Sequence, residues 1–401
     1  MKIRTKKENP RILIIQPYIP SYRVDLFEKL RTQLAANGSD LAIAAGRAAG
    51  RVALRGDDRT ETIADFAIRS RTYSIRGKEL VHRELGSTLS SYRPDYLIVE
   101  QAIKNLETWI PALTQRLPGK ARVALWGQGR SYSTPQSTIE AHLKQWLTRR
   151  ASWFFAYTQS GADHVVQHGF PRDRTTILWN TNDAESLLKD LESISSEELD
   201  AYRNHLGLTQ GRTAIFLGGI DAHKGISFLL SAARLISDSL PGFRLLVGGA
   251  GDMIDAVRSE EGQGGAVRFL GRLEGRDKAV ALAASDVVMI PEWVGLVAVD
   301  ALMAQKPLIT TDHPSHSPEF EYLSPDSNAL ITAHDTKDYA QAVLNQLAGS
   351  GASDPLPQLD SAFREDLSAT AMASRFAQGI EMWQKQEKTT RFPSHDRGSG
   401  V

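Results

Sequence analysis

Apolar residues gather in short unbroken runs along this chain, separated by longer stretches in which they recur every three or four positions. Residues 11–15 (RILII), 41–45 (LAIAA), 95–99 (DYLIV), 122–126 (RVALW) and 153–156 (WFFA) are such runs in the first half. In the second half the pattern returns at 214–217, 244–247, 267–271, 287–290, 307–311 and 329–332. An unbroken apolar run predicts a strand buried on both faces, as in a parallel sheet, because a strand with one wet face would alternate. Between the runs, the spacing of Val24, Phe27 and Leu30 predicts a helix over 22–33. Further helices are predicted over 106–116, 137–150, from 157 through His168, and over 226–237, 336–348 and 367–386. The last of these sets Met372, Phe376, Ile380 and Trp383 on one face. Strands alternating with helices predict doubly wound parallel sheets. Residues 46–77 are polar and weakly patterned, which predicts a loop-rich insertion with one or two short strands.

The stretch 285–323 (SDVVMIPEWVGLVAVDALMAQKPLITTDHPSHSPEFEYL) concentrates the chemistry. A buried strand stops at Pro291, a turn follows, and Gly295 opens a helix to about Ala304 that is apolar all round and therefore predicted to be buried. That helix nevertheless carries Asp300, a carboxylate that is costly to bury unless something hydrogen-bonds it. Glu292 sits at the strand end, the side on which open α/β sheets bind ligands. A helix N-terminus there offers unpaired N–H groups to a phosphate, and the flanking carboxylates suit hydroxyls. The expected ligand has phosphates in the middle and hydroxyls at both ends, which is the layout of a nucleotide sugar.

PEWVGLVAVDALMAQKPLITTD resembles the donor-binding segment of the retaining family 4 glycosyltransferases of GT-B fold, with its pattern E-G-F-G-L-x-x-x-E-A-M-A-x-G-x-P-V-I-A-T-D. The resemblance implies an α/β architecture of two doubly wound, Rossmann-like domains facing a cleft, with a C-terminal helix crossing back to the first. It divides the chain into an acceptor-side domain (1–185), an interdomain connection (186–210), a donor-binding domain (211–365), a crossover helix (366–388) and a tail (389–401) rich in Ser, Gly and charge, expected to be disordered. It further implies that Glu292 faces the donor sugar and Asp300 the ribose, with Gly295, Leu296 and Val297 lining the same turn. Two departures stand out: Trp293-Val294 replaces Gly-Phe, and Asp300 replaces Glu.

The remaining motifs follow from the same resemblance. Gly218-Gly-Ile-Asp-Ala-His-Lys-Gly225 matches G-R-x-x-x-x-K-G, whose Arg and Lys hold the donor diphosphate. Gly218, Lys224 and Gly225 are in place, but Gly219 stands where the Arg would be. Losing a bidentate clamp weakens phosphate binding, so Arg272 or Arg23 is expected to compensate. Arg272-Leu273 is the turn expected to meet the base. Pro17–Arg23 resembles the first loop of one branch of the family, and Gln128 stands where relatives often carry His. Arg23, Gln128 and His316 are candidate donor or acceptor contacts; Gln128 can donate and accept hydrogen bonds but cannot take a proton. Residues 244–252 (RLLVGGAGD) hint at a dinucleotide fingerprint, yet its final glycine is replaced by Ile254 and the acid that would hold an NAD ribose is missing.

Composition removes other classes. Forty-seven basic and 47 acidic residues balance, so nothing points to a nucleic-acid partner. With no Cys there is no thiolate metal site and no cysteine nucleophile. No long apolar run predicts a signal peptide or a membrane span, so a cytoplasmic enzyme is expected. The pair His164/His168 has zinc-compatible spacing but lacks a third ligand, and no acidic motif suits a metal-held diphosphate; neither metal nor cofactor is expected. Basic and aromatic residues at 144–150 suit peripheral contact with a membrane surface. The expected partners are a nucleoside-diphosphate sugar as donor and a saccharide or lipid-linked acceptor, as in surface polysaccharide or lipopolysaccharide biosynthesis. Two alternatives stay open: a nucleotide-sugar-binding protein of weak activity, and a sugar-nucleotide epimerase of the same fold.

Overall fold

A computed structural model describes residues 9–75, 78–132, 137–262, 265–325, 327–349 and 361–391. The first domain runs β1 (Arg11–Gln16), α1 (Val24–Ala36), β2 (Asp40–Ala45), α2 (Thr60–Ile63), β3 (Phe66–Ala67), β4 (Ser70–Ile75) and β5 (Lys78–Arg83). It continues with α3 (Gly86–Tyr92), β6 (Tyr96–Glu100), α4 (Leu106–Thr114), β7 (Arg122–Gly127), α5 (Thr138–Thr148), β8 (Trp153–Ala156), α6 (Gln159–Gln167) and β9 (Thr175–Ile177). Its sheet has the order β3-β2-β1-β6-β7-β8-β9, all pairs parallel. The central strands are buried on both faces, as their unbroken apolar runs require: Ile12 through Ile15 and Val123 through Trp126 are almost wholly enclosed. The insertion at 46–77 supplies a helical turn (Gly50–Arg55), α2, β3 and β4; β4 pairs antiparallel with β5 as a hairpin outside the main sheet.

Two helices, α7 (Ala184–Glu192) and α8 (Ser196–Leu206), lead to the second domain. There follow β10 (Thr213–Gly219), α9 (Ile226–Ser239), β11 (Arg244–Ala250), α10 (Ile254–Gly262), β12 (Val267–Gly271), α11 (Gly275–Ala284) and β13 (Val287–Met289). Then come α12 (Val297–Met303), β14 (Leu308–Thr311), β15 (Ala329–Thr332), α13 (Thr336–Gly349), α14 (Ser361–Asp366) and α15 (Ala369–Arg391). The second sheet, β12-β11-β10-β13-β14-β15, is also parallel throughout. The expected connection is no free linker. Helices α7 and α8 pack on α11, Ala184 and Leu187 join the second domain's core, and Arg276 of α11 donates to the Asp190 carbonyl at 2.8 Å and pairs with Glu198.

Helix α15 returns to the first domain. Met372, Phe376, Ile380 and Trp383 lie in one apolar cluster with Phe27, Trp126 and Phe155; the Phe376 ring is 4.5 Å from Phe155 and 5.1 Å from Trp126. The helix runs to Arg391, so residues 389–391, expected in the tail, are helical; the rest of that tail lies outside the described residues. Parallel strands place the C-terminal ends of each sheet on one side of its domain, the side where open α/β sheets bind ligands. A helix that completes the other domain's core makes that core depend on chain connectivity across the molecule. Truncating Phe376 to Ala is expected to lower unfolding stability by about 3–5 kcal/mol, through lost burial and the cavity left behind. Denaturant titration would check it, and a loss below about 1 kcal/mol would mean that α15 does not hold the first domain.

Candidate functional site

Strand β13 ends at Met289, and the chain turns through Pro291 and Trp293 before α12. Trp293 has φ 48°, the left-handed region that glycine enters freely and a side chain enters at a cost of about 1–2 kcal/mol. The family-type glycine at this position has a physical reason, and here a tryptophan is held in its conformation. The turn is fixed from three sides. The Val294 N–H donates to His316 Nδ1 at 3.1 Å, the Ser317 N–H to the Val294 carbonyl at 3.0 Å, and Thr311 Oγ1 to the Pro291 carbonyl at 2.7 Å. It sends the Glu292 side chain against the start of α9. A Cβ on Gly225 would lie 2.9 Å from Glu292 Cγ and Cδ, and Gly225 itself has φ +68°, so glycine is required there twice over. Glu292 Oε1 lies 2.9 Å from His334 Nε2, and the His334 ring stacks on Phe228 of α9 with centroids 4.9 Å apart.

Lys224 stands on the other side of Gly225. Its ammonium donates to the Trp293 carbonyl at 2.8 Å and lies within 3.9 Å of the space a Cβ on Gly218 or on Gly295 would fill. It makes no ion pair among the described residues. Burial pushes its pKa down to about 8, and the charge of Arg55 acts in the same direction. Arg55 belongs to the first domain, in the turn Gly50–Arg55, which packs against β11 of the second. The strand ends beside Lys224 are stripped to backbone: a Cβ on Gly249 would sit 1.8 Å from the Gly218 carbonyl oxygen. Gly219, where an Arg was expected, has Asp221 Oδ2 at 2.7 Å from its own missing Cβ. An arginine there would have to displace a carboxylate.

Asp300 is buried in α12, and its burial is compensated. Asn182 Nδ2 and Lys278 Nζ both donate to Oδ1 at 2.9 Å, which leaves Oδ2 without a partner among the described residues. Asn182 Oδ1 beside it is buried with no hydrogen bond. Glu292 and Asp300 share no partner: one meets α9 and His334, the other meets α11 and the start of α7. The helix between them begins at Val297, two residues later than expected, and leaves first-turn N–H groups without helical acceptors at Leu296 and Val297.

The other expected residues scatter. Arg272 pairs with Glu274, a carboxylate that also accepts from Ser21 Oγ of the first domain at 3.1 Å; Leu273 packs on Gly248. Arg23 is enclosed. Its guanidinium donates to Asn180 Oδ1, approaches Met372 Sδ at 3.4 Å and lies 5.0 Å from the Trp126 ring, so it does not stand in for the missing diphosphate cation. Gln128 is half-buried at the end of β7, its backbone against Gly161 of α6. His316 is buried with both ring nitrogens used: Nδ1 accepts from Val294 and Nε2 donates to the Thr311 carbonyl at 2.9 Å. Burial holds it neutral, below the ordinary histidine range. The residues missed from sequence are His334, Arg55 and the two partners of Asp300, Asn182 and Lys278, none of which a motif singles out as a site residue.

Glu292, His313 and His334 bring one ligand atom each within 4.8 Å of one another, a set of the two-His, one-carboxylate type. This is the group among the described residues whose chemistry suits a divalent ion. Ligands at zinc distances of about 2.0–2.2 Å would have to draw closer than that, and the His334–Glu292 hydrogen bond would have to open.

The fold is a two-domain α/β architecture of GT-B type. Residues 211–348 match the family described as Glycosyl transferases group 1. Phosphatidyl-myo-inositol mannosyltransferase of Mycobacterium tuberculosis (strain CDC 1551 / Oshkosh) is 35% identical over 130 residues, 31% of this chain and 33% of that protein. The match thus spans about a third of the length of the curated relatives. Among solved structures, Anabaena HepE in complex with UDP and glucose superposes with a TM-score of 0.60 at 16% identity, covering 95% of this chain and 99% of that one. Sucrose-phosphate synthase from Thermosynechococcus elongatus gives 0.64 at 16% identity, covering 96% and 100%. A putative UDP-N-acetylglucosamine 2-epimerase from Listeria monocytogenes gives 0.57 at 12% identity, covering 98% and 99%. The same fold therefore carries more than one chemistry, and these structures speak to fold alone.

Replacing Gly225 with Ala is expected to cost about 1–2 kcal/mol, because a left-handed residue gains a Cβ that collides with Glu292. Thermal denaturation would register it. A variant as stable as the parent would mean that Glu292 does not press on the α9 N-terminus.

Proposed function

We propose that this protein is a glycosyltransferase that takes a nucleoside-diphosphate sugar as donor and transfers the sugar, with retention, to a saccharide or lipid-linked acceptor. One observation carries the reading: Lys224 places an ammonium free of carboxylate partners between glycine-stripped strand ends, inside the segment that matches the group 1 glycosyltransferases. A diphosphate is the ligand such a cradle suits, since backbone can approach it closely and Glu319 and Asp221 act on the buried ammonium only through space, without a direct ion pair among the described residues. Arg55 supplies the second positive charge from the facing domain, in place of the arginine missing at Gly219. As the glycosidic bond breaks, charge accumulates on the leaving diphosphate, and fixed cations that need no reorganisation lower that barrier.

Glu292 positions the donor sugar, with His334 orienting its carboxylate. The free Oδ2 of Asp300 and the unpartnered Asn182 Oδ1 are the acceptors available to a ribose hydroxyl. Gln128 stands on the acceptor-side strand ends as a neutral hydrogen-bonding group. The M. tuberculosis relative is named for transfer to a phosphatidylinositol, which supports a lipid-linked acceptor; no helix among the described residues is long and apolar enough to cross a membrane. The epimerase reading shares the fold and is separated by product: an epimerase interconverts donors without any acceptor, whereas a transferase in the absence of acceptor slowly releases sugar and nucleoside diphosphate.

Incubation with labelled UDP- and GDP-sugars is expected to give slow donor hydrolysis, and Glu292→Gln to reduce it by two orders of magnitude or more. A protein that binds donors and hydrolyses none is a binding protein, and near-normal turnover of Glu292→Gln removes the assigned role. Exhaustive chelation is expected to leave turnover unchanged; loss restored by zinc would transfer Glu292, His313 and His334 to a metal centre. The pH profile carries its own sign. Lys224 is charged below about 8 and neutral above it, so kcat/KM for the donor should fall as pH rises through about 8, well before an ordinary lysine would deprotonate. A profile flat to pH 10 would sever Lys224 from donor binding.

A further inference from the structure

A cavity of about 230 Å³ opens in the first domain between α5 and α6, apart from the Glu292–Lys224 group. It is smaller than the ~300–1,000 Å³ of pockets for drug-sized ligands and of a size for one phosphate with a small alcohol attached. Arg130, Lys144, Arg149, His164 and His168 line it, and no carboxylate does. The acids nearby are engaged elsewhere. Glu100 acts on Lys144 through space, but its Oε2 accepts from Asn105 Nδ2 at 3.0 Å; Asp163 pairs with Arg172; Glu140 closes the capping box with Ser137. Lys144 makes neither an ion pair nor a side-chain hydrogen bond among the described residues. Burial pushes its pKa down to about 8. His164 is held neutral, its pKa near 4, first by burial and then by the charge of its neighbours, His168 first among them. A buried ammonium whose nearest carboxylate acts only through space is a cost to the fold that an anion in direct contact within the cavity would offset.

The other face of α5 is apolar and exposed. Five of the nine large apolar side chains that stand out to solvent among the described residues lie here: Ile110, Leu113 and Leu117 on and after α4, Ile139 and Leu143 on α5. Ile110 is 70% and Ile139 79% exposed, far more than isolated surface positions need. Trp109 of α4 stacks on Trp146 of α5 with centroids 6.2 Å apart, and the Arg150 guanidinium lies 4.4 Å over Trp146. Helical periodicity puts Ile139, Leu143 and Trp146 on one side of α5 and Ala141, Lys144 and Thr148 on the other, about one helix diameter (~10 Å) away. A helix lying in a membrane surface buries its apolar face about 5–10 Å deep, which would carry the basic cavity to the level of the lipid phosphates.

We propose that this cavity binds the phosphate of a lipid headgroup while the exposed face of α4 and α5 rests in the membrane surface, so that the first domain meets its acceptor at the bilayer. Calling that lipid an acceptor rests on the transferase reading above; the binding itself rests on the cavity. Flotation of the full chain with vesicles needs no donor, so it stands or falls independently of donor hydrolysis.

Vesicles of phosphatidylcholine with about a quarter phosphatidylglycerol should carry the protein and pure phosphatidylcholine should not, since each basic group near an anionic surface contributes about 1 kcal/mol. Lys144→Gln/Arg149→Gln should lower partitioning tenfold or more. The charge-matched surface control Arg258→Gln/Lys337→Gln, on exposed helices of the second domain, should lower it less. Soluble glycerol 3-phosphate should raise the melting temperature of the wild type and leave the cavity variant unmoved, while Ile110→Ser/Ile139→Ser should lose vesicles and keep the glycerol 3-phosphate shift. Should the Lys144 change impair folding, Arg149→Gln/His168→Gln reads the same cavity. Equal losses in the cavity and surface variants would overturn the proposal, as would a glycerol 3-phosphate shift without flotation, which would assign the cavity to a soluble ester.

Discussion

The relation between the two domains rests on a buried cation with no carboxylate in direct contact. Arg23, at the entry to α1, is enclosed by Tyr22, Trp126, Tyr157 and α15, an environment in which an unpaired guanidinium would be prohibitive. Its charge is passed on by one residue: Arg23 donates to Asn180 Oδ1, and Asn180 Nδ2 donates to Glu319 of the second domain. Glu319 also accepts from Ser317 Oγ, and Tyr322 Oη donates back to the Asn180 carbonyl at 2.9 Å. The chain is satisfied only when the segment 318–322 lies against 180–182. Removing any link leaves a buried charge, which is why such a network specifies geometry more than it adds stability. A second junction reinforces it nearby, where Glu321 accepts from the first-turn N–H groups of Gln159 and Ser160 in α6, at 2.8 and 3.1 Å.

The site inherits its precision from that junction. Ser317 and His316 precede Glu319 in the same segment, and they pin the Trp293–Val294 turn through the Val294 backbone. The turn holds Trp293 in a strained conformation, supplies the carbonyl that receives Lys224, and presses Glu292 on the α9 N-terminus. Strain at a functional turn persists where surroundings over-determine it, and here three independent hydrogen bonds do so. Domain apposition, turn geometry and placement of the cation are therefore one constraint seen at three distances.

Much of the architecture was legible because parallel strands buried on both faces write themselves as unbroken apolar runs, and each of the eleven runs read from the sequence is a strand in the sheets. The β4–β5 hairpin was harder to read because residues 70–74 of β4 are exposed and β5 mixes Lys, Glu, His and Arg with two apolar residues, so neither strand is an unbroken apolar run. Helix α11 escaped because Ala-rich burial on several sides leaves no stripe to detect. At the site, Lys224, Glu292 and Asp300 announced themselves by motif. Their partners did not: His334 lies 42 residues from Glu292, and Asn182 lies 118 from Asp300. Arg23 misled for the same reason, since nothing in a helix-entry position reveals that another domain will close over it.

Net neutrality hides how unevenly charge is placed. Several cations near the surface have a carboxylate within reach, as Lys29 has Asp25, Arg31 has Asp65 and Arg276 has Glu198, and such pairs cancel beyond a Debye length of about 8–10 Å. Lys224 and Lys144 are the contrast: both are withdrawn from water, both have their pKa lowered by burial, and neither is paired. A protein with equal numbers of acids and bases presents no long-range field to steer a polyanion. The two proposed phosphate sites need no such field, because desolvated cations interact with an incoming anion through a lower effective dielectric than surface pairs do. The second domain's site lies at strand ends stripped by glycine and admits a ligand along the backbone; the first domain's lies between two helices and admits one from the side. The proposed transfer from a nucleotide-linked sugar to a phosphate-bearing lipid would use one such site in each domain.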